Sequence, residues 1–188
     1  SGALMADFVL LVVDVQKAFS ERDALGHNRS CPVAEQNIAS LLTHFRAQQL
    51  PVIHIHHHSL EANSAFCADQ TGAQVQPFAT PKNGETVVVK HVNSGFIGTD
   101  LADHIQALGN PKLVICGATA NHCVETTTRM AGNLGYEAFY VGDAVWAYDG
   151  KSIDGFIIPA DQIHTVSMAN LHNEFATVIQ CAALLAHI

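Results

Sequence analysis

The sequence predicts one three-layer α/β domain over residues 1–188, a central parallel sheet of about six strands with helices on both faces. Three observations lead there. Continuous apolar runs, beginning with Phe8-Val9-Leu10-Leu11-Val12-Val13, suit strands buried on both faces of a parallel sheet. Stretches of helical periodicity separate these runs, and strand and helix alternate to the end of the chain. The composition agrees, because 188 residues at 48% hydrophobic and 14% charged supply one large core and exclude a disordered chain.

The first strand, Phe8–Val13, ends at Asp14. A polar, turn-rich stretch runs to Ser30, and Pro32 sits in the first turn of a helix. Ala34, Ile38, Leu41, Leu42 and Phe45 recur at helical spacing until Pro51 stops the segment. Residues 52–56 alternate as a second strand. Residues 58–84, with Gly, Pro, Asn and Gln and little periodicity, read as a long surface excursion. Residues 85–90 form a third strand ending on Lys90. Thr99 caps a short helix with Leu101, Ile105 and Leu108 on one face and Gly109 at its end. Residues 112–117 are a fourth strand, and 121–134 a helix burying Val124, Thr127, Ala131 and Leu134. A fifth strand at 138–142 leads into a loop through Trp146, Tyr148 and Gly150. A helix at 160–174 and a strand at 177–180 complete the alternation.

Charge and cysteine usage narrow the partners. Nine basic against 17 acidic residues give a net charge of −8, so no basic footprint for nucleic acid or an anionic membrane is present. No apolar stretch approaches the roughly 20 residues of a membrane span, and Phe8–Val13 lacks the basic start of a signal peptide. Residues 1–4, ahead of Met5, carry no structural weight. Five cysteines without a CxxC argue against a disulfide scaffold or thiolate zinc site and for a reducing, cytoplasmic setting. A small-molecule substrate is the expected partner.

Ligands of open parallel sheets bind outside the carboxyl ends of the strands. Asp14 and Lys90 fall at two such ends, and Cys123 lies across the turn after Cys116-Gly117, at the start of a helix. A helix amino terminus lowers a thiol's pKa and offers backbone N–H groups, so a thiolate and an oxyanion site are both expected there. Cys31, Cys67, Cys116 and Cys181 read as small packing residues. Taken singly, Asp14 suits a loop cap and Lys90 an exposed strand end. Together they form a chemical set, with a cation to stabilise a thiolate and an acid to accept its proton.

Three ordered blocks carry a resemblance over essentially the whole chain. They are Val13-Asp14-Val15-Gln16 with Phe19, then Lys90-His91-Val92-Asn93-Ser94-Gly95-Phe96, then 116–125 with Thr126-Thr127-Thr128-Arg129. In them the sequence resembles the isochorismatase-like cysteine hydrolases. The resemblance implies the family's Rossmann-like, isochorismatase-like fold, with Cys123 as nucleophile, Asp14 as general base and Lys90 as the cation that keeps the triad ionised. It also implies a cis peptide between Ala118 and Thr119, turning the Thr119 N–H, with that of Cys123, into an oxyanion hole. Phe19, Phe96, Asn121 and the 146–149 loop with Trp146 would border a compact, partly apolar pocket. No cofactor and a homodimeric or homotetrameric assembly are implied, with hydrolysis of a small amide-type C–N bond through a thioester. Family substrates range over nicotinamide, carbamoyl-amino acids, ureido compounds, biuret and cyclic amides.

Other readings compete. Superfamily members that hydrolyse isochorismate lack the cysteine, and Cys123 is present here. Nicotinamidases hold a metal through an Asp-x-His pattern near the second strand, whereas this chain reads His54-Ile55-His56-His57-His58, so no metal is expected. His54 and His56 share a strand face and could share an ion, but without a third ligand they read as pocket-lining or structural. His122 is adjacent to Cys123 on a helix and does not face it. Neither GxGxxG nor GxxxxGK[ST] occurs, which disfavours nucleotide binding. A redox or sensor role for Cys123 would require a resolving thiol such as Cys116 or Cys31, and a non-catalytic binding protein would show an unreactive Cys123.

Overall fold

The computed structural model describes residues 5–188; residues 1–4 lie outside the described residues. Its elements are β1 (Phe8–Val13), α1 (Lys17–Ala24), α2 (Ala34–Ala47), β2 (Val52–His57), β3 (Thr86–Lys90) and α3 (Leu101–Ala107). Then come β4 (Lys112–Ala118), a π-helical turn (Ala120–Val124) running into α4 (Glu125–Asn133), and β5 (Ala138–Trp146). A two-stranded antiparallel hairpin of β6 (Gly150–Lys151) and β7 (Ile157–Ile158) precedes α5 (Ala160–Leu171), β8 (Thr177–Ile179) and α6 (Cys181–Leu185).

Six strands form one parallel sheet in the order β3-β2-β1-β4-β5-β8. The chain builds outward to one side of β1, then crosses to the other side at β4. The switch point therefore lies between β1 and β4, where the loops leaving their carboxyl ends diverge and open a crevice. β1 is the centre of the molecule, and Val9 through Val13 are all buried. Leu10 and Val12 join a core under α2 and α6, while Val9, Leu11 and Val13 join a second core under α3, α4 and α5. No helix among the described residues is long and apolar enough to cross a membrane.

The structure departs from the sequence reading at four places, and at the first two the physical cause is plain. The stretch after Asp14 contains α1, whose buried residues are Ala18 and Phe19. So small an apolar face leaves no periodic signal; the helix is held from outside, its Lys17 N–H donating to the Gln74 carbonyl at 2.8 Å. The fifth strand continues past Gly142 to Trp146 because a bulge shifts its register against β4, from Ile115 opposite Tyr140 to Gly117 opposite Val145. The backbone in the bulge is satisfied by side chains, with Asn37 Nδ2 donating to the Asp143 carbonyl at 2.7 Å and His164 Nε2 to that of Gly142 at 2.8 Å. The helix expected over 160–174 ends at Leu171, and α6 was not expected at all.

Gly117 marks where β4 passes under the crevice. Its φ is +121°, and a side chain there would collide with the Val13 carbonyl oxygen. Gly117→Ala is therefore expected to cost about 3 kcal/mol or more, read as a lowered denaturation midpoint in urea. A loss under about 1 kcal/mol would contradict this close approach.

Candidate active site

β1 delivers Asp14 to the crevice through an abrupt turn. Its φ is +55°, a left-handed conformation that Asp tolerates better than most residues. The turn is tied down by its own N–H, which donates to the Ile55 carbonyl at 2.8 Å, and by its carbonyl, which accepts from Gln16 at 2.8 Å. β3 delivers Lys90, which is fully buried. Parallel pairing sets Lys90 opposite His57 at the end of β2, and paired residues share a face of the sheet. Cys123 arrives on the π-helical turn. That turn is pinned by two hydroxyls on the Ala120 carbonyl, Ser167 Oγ at 2.9 Å and Tyr140 Oη at 3.3 Å. Such turns are uncommon and cluster at functional sites.

The three elements converge on one ammonium. Lys90 Nζ donates to Asp14 Oδ2 at 3.0 Å, to His57 Nδ1 at 2.8 Å and to Cys123 Sγ at 3.2 Å. An ammonium has three N–H donors and no acceptor, so all three are used and His57 carries its own proton on Nε2. Burial, reinforced by the Lys90 charge, pushes the His57 pKa down to about 4, which keeps the ring neutral. The Gln16 side chain clamps the backbone of His57, donating to its carbonyl at 2.9 Å and accepting from its N–H at 2.8 Å.

Burial raises the Asp14 pKa, and Lys90 opposes the rise. Burial also pushes the Cys123 thiol up to about 12, helped by the Asp14 charge and opposed by Lys90. Desolvation and the nearby carboxylate thus work against the thiolate expected from a helix terminus and outweigh the ammonium. Asp14 Oδ1 is buried and has no hydrogen-bond partner. A carboxylate oxygen of Asp14, a ring nitrogen of His57 and Cys123 Sγ lie within 4.8 Å of one another. The Asp14 carboxylate therefore lies near the thiol and keeps one oxygen free to accept.

Above this floor is a cleft of about 350 Å³. Phe19 and Phe66 form one wall, packed edge to face at 5.1 Å, and Arg22, Asn93, Thr119 and His122 form the rim. The Ala118–Thr119 peptide bond is cis, and Thr119 Oγ1 is hydrogen-bonded to His122 Nδ1 at 3.0 Å. An adjoining hollow of about 380 Å³ shares Arg22, Thr119 and His122 and contains Asn121 and Lys151. A larger hollow of about 730 Å³ opens at the amino edge of the sheet, beside Asp7 and Lys112, and holds no nucleophile.

Of the residues expected to border the pocket, Phe19 does so and Asn121 is one step away in the adjoining hollow; Thr119, expected at the oxyanion hole, lies on the cleft rim. Trp146 and Phe96 do not. The β5 bulge makes Trp146 a strand residue, wholly buried, with Phe19 packed edge-on against it at 5.7 Å. Phe96 is turned away from the cleft and stacks on Tyr136 at 5.9 Å, its turn held by the Gly95 N–H donating to Thr127 Oγ1 at 3.0 Å. His57, Phe66 and Arg22 were missed. For His57 a signal existed, since strand alternation puts it on the face opposite His54 and His56.

His54 and His56 face away from the cleft. His54 Nε2 bonds to Glu85 at 2.8 Å, and Arg46 grips the same carboxylate with two bonds of 2.8 and 2.9 Å. Burial alone would raise the Glu85 pKa, but Arg46, the Lys82 N–H and His54 together hold it down at about 2. Burial also lowers both histidines, His56 to about 4. His54 is a structural tie to Glu85, and the His56 ring lies 6.2 Å from that of His54. Among the described residues the metal-type donors that converge are Asp14, His57 and Cys123, and the Lys90 ammonium sits against all three.

The arrangement defines a class, an α/β protein with a cysteine, a carboxylate and a lysine gathered at the switch point of a parallel sheet. The family model for the isochorismatase domain matches residues 8–183, and the chain belongs to the isochorismatase family of hydrolases. It is 37% identical over 176 residues to the uncharacterized isochorismatase family protein YrdC of Bacillus subtilis (strain 168), covering 94% of this chain and 93% of that one. An isochorismatase-family structure from Chromobacterium violaceum ATCC 12472 superposes with a TM-score of 0.89 at 38% identity, over 99% of this chain and 97% of the other. A shorter match, 38% identical over 73 residues, is to the ureidoacrylate amidohydrolase RutB of Variovorax paradoxus (strain S110). It covers 39% of this chain and 29% of that protein.

Removing the ammonium should be costly in a pH-dependent way. Lys90→Met leaves a buried carboxylate unpaired, with an expected loss of about 3–5 kcal/mol at pH 8. Asp14 would then have a folded-state pKa still further above its unfolded value of about 3.9. A group shifted in that direction adds stability at low pH and loses it as pH rises through the folded pKa. Urea denaturation should therefore show the variant recovering as pH falls from 8 toward the ordinary carboxyl range, more than the wild type does. A deficit independent of pH would contradict the buried pair.

Proposed function

We propose that the protein is a cysteine hydrolase of small amide-type C–N bonds. The observation that carries this reading is Lys90 Nζ bonded at once to Asp14 Oδ2 and Cys123 Sγ on the floor of a small cleft. Such contact couples the charges of acid and thiol, so that moving a proton between them leaves the net charge of the group unchanged. Kinship with a ureidoacrylate amidohydrolase supports the choice of a C–N bond.

The residues suggest an order of events. As Cys123 Sγ attacks the amide carbonyl carbon, its proton passes to the open Asp14 Oδ1. Lys90 stays in place and balances the charge as the anion moves from carboxylate to substrate. The carbonyl oxygen gains negative charge, held by the N–H groups of Thr119 and Cys123; removing one such donor typically costs about 10²–10³ in turnover. Asp14 returns the proton to the leaving nitrogen as the C–N bond breaks, leaving a thioester. Asp14 then takes a proton from a water that attacks the thioester, and the thiol is restored with release of the acid.

His57 acts here through Lys90. As a neutral acceptor it takes one of the three ammonium donors and orients the other two toward the reacting groups.

An ammonia-release screen over small amides and ureides tests the reading. Cys123→Ala and Asp14→Asn are each expected to lower turnover by about 10³-fold or more while far-UV circular dichroism stays native. Residual activity of a tenth or more in either folded variant (about a tenfold loss) would refute the assignment.

A further inference from the structure

The chain has four arginines, at positions 22, 29, 46 and 129. Three are paired with carboxylates: Arg29 with Asp23 and Glu35, Arg46 with Glu85, and Arg129 with Glu125. Arg22 is different. Among the described residues its guanidinium makes neither an ion pair nor a side-chain hydrogen bond, although it lines the cleft together with Asp14 and Cys123.

Arg22 is nevertheless held in place. It lies in the last turn of α1, half-buried, with its guanidinium 4.8 Å from the centre of the Tyr148 ring and 5.5 Å from that of Phe19. Those two rings are themselves stacked at 6.0 Å. Stacking engages the face of a guanidinium and leaves its in-plane N–H donors available. The carboxylates that could have quenched it are committed elsewhere. Asp23 takes the Tyr148 hydroxyl at 2.8 Å and Arg29 at 3.0 Å. Asp149, in the adjoining hollow, takes Asn28 Nδ2 and the Ala160 N–H, both at 2.8 Å.

A pre-positioned, unpaired fork at the mouth of a cleft matches a planar anion bound through two parallel hydrogen bonds. It is more notable in a chain of net charge −8, which on the whole repels anions. We propose that Arg22 binds a carboxylate of the substrate, so that the protein acts on small amides or ureides that are also acids, in preference to neutral amides. This rests on the amide-hydrolase reading and narrows its substrate class. Arg22 would anchor the far end of the substrate while Cys123 meets the carbonyl, converting binding at one end into orientation at the other.

The test is calorimetric titration of the Cys123→Ala protein, which removes turnover from the measurement. Matched ligands are succinamate against succinamide, and N-carbamoylglycine against its carboxamide. The acids are expected to bind at least about tenfold more tightly than their neutral partners. Adding Arg22→Gln should reduce that preference to about twofold or less, and Arg22→Lys should keep only part of it, since the point charge remains and the fork is lost. Equal binding of acid and neutral ligand, a preference that survives Arg22→Gln, or failure of every acid to bind would each overturn the proposal. Inorganic phosphate binding as tightly as the acids, with the same dependence on Arg22, would overturn the carboxylate in favour of a phosphoryl group. Should Arg22→Gln not fold, the acid preference and its decline with added salt are read in the Arg22-containing protein, with Arg22→Lys as the variant. A failed hydrolase reading has a separate signature: the acid preference persists, yet the Cys123-containing protein releases no ammonia from any of these amides.

Discussion

The ammonium of Lys90 organises the site. It is fully buried, and it is tolerable there because each of its donors meets an acceptor held by a different part of the fold. Asp14 comes from the end of β1, His57 from the end of β2 and Cys123 from the turn after β4. No two of these segments are adjacent in sequence. The charge of one side chain thus ties three crossovers together at the crevice, and the energetic demand of burying it constrains all of them at once.

Geometry around that charge is supplied by features with no catalytic chemistry of their own. The pairing of β2 with β3 places His57 beside Lys90. The left-handed turn at Asp14 directs its carboxylate inward instead of along the strand. Gly117 lets β4 pass against the Val13 backbone, so that the segment from Thr119 to Cys123 reaches the same crevice. Beyond it, the bulge in β5 carries Trp146 beneath Phe19 and gives the cleft wall an aromatic backing. Arg22 and Tyr148 are then arranged around Phe19. Floor, wall and rim are built outward from the switch point.

Much of this was legible in the sequence, and the reasons differ by element. The strands were visible because burial on both faces demands unbroken apolar runs, as in Phe8–Val13. Asp14 and Lys90 stood out because each interrupts such a run at its functional end, and Cys123 because it follows a glycine turn into a helix. The family's ordered blocks added the cis bond between Ala118 and Thr119. What could not be read depended on tertiary contact. α1 has almost no apolar face of its own, and the β5 bulge is stabilised by Asn37 and His164, side chains far away in the chain. Phe96 was assigned to the pocket by its neighbours in a motif, but Thr127 turns that loop toward α4. The upward push on the Cys123 thiol is out of reach for a related reason, since a helix terminus is visible in sequence and desolvation is not. His57 was hidden among its histidine neighbours, and the register with β3 is what sets it apart.

The central claim is that Asp14 and Cys123 form one coupled pair beside the Lys90 ammonium, in which a proton is handed from thiol to carboxylate. The most direct test is the pH profile of iodoacetamide alkylation at Cys123, followed by peptide mass, in wild type, Asp14→Asn and Lys90→Met. The account predicts a wild-type midpoint well above the free-thiol value of about 8.5, in keeping with a thiol pushed up to about 12. Removing the carboxylate should move that midpoint down, and removing the ammonium should move it further up. Midpoints near the free-thiol value in all three proteins, indifferent to either substitution, would mean that the three groups do not form a coupled site.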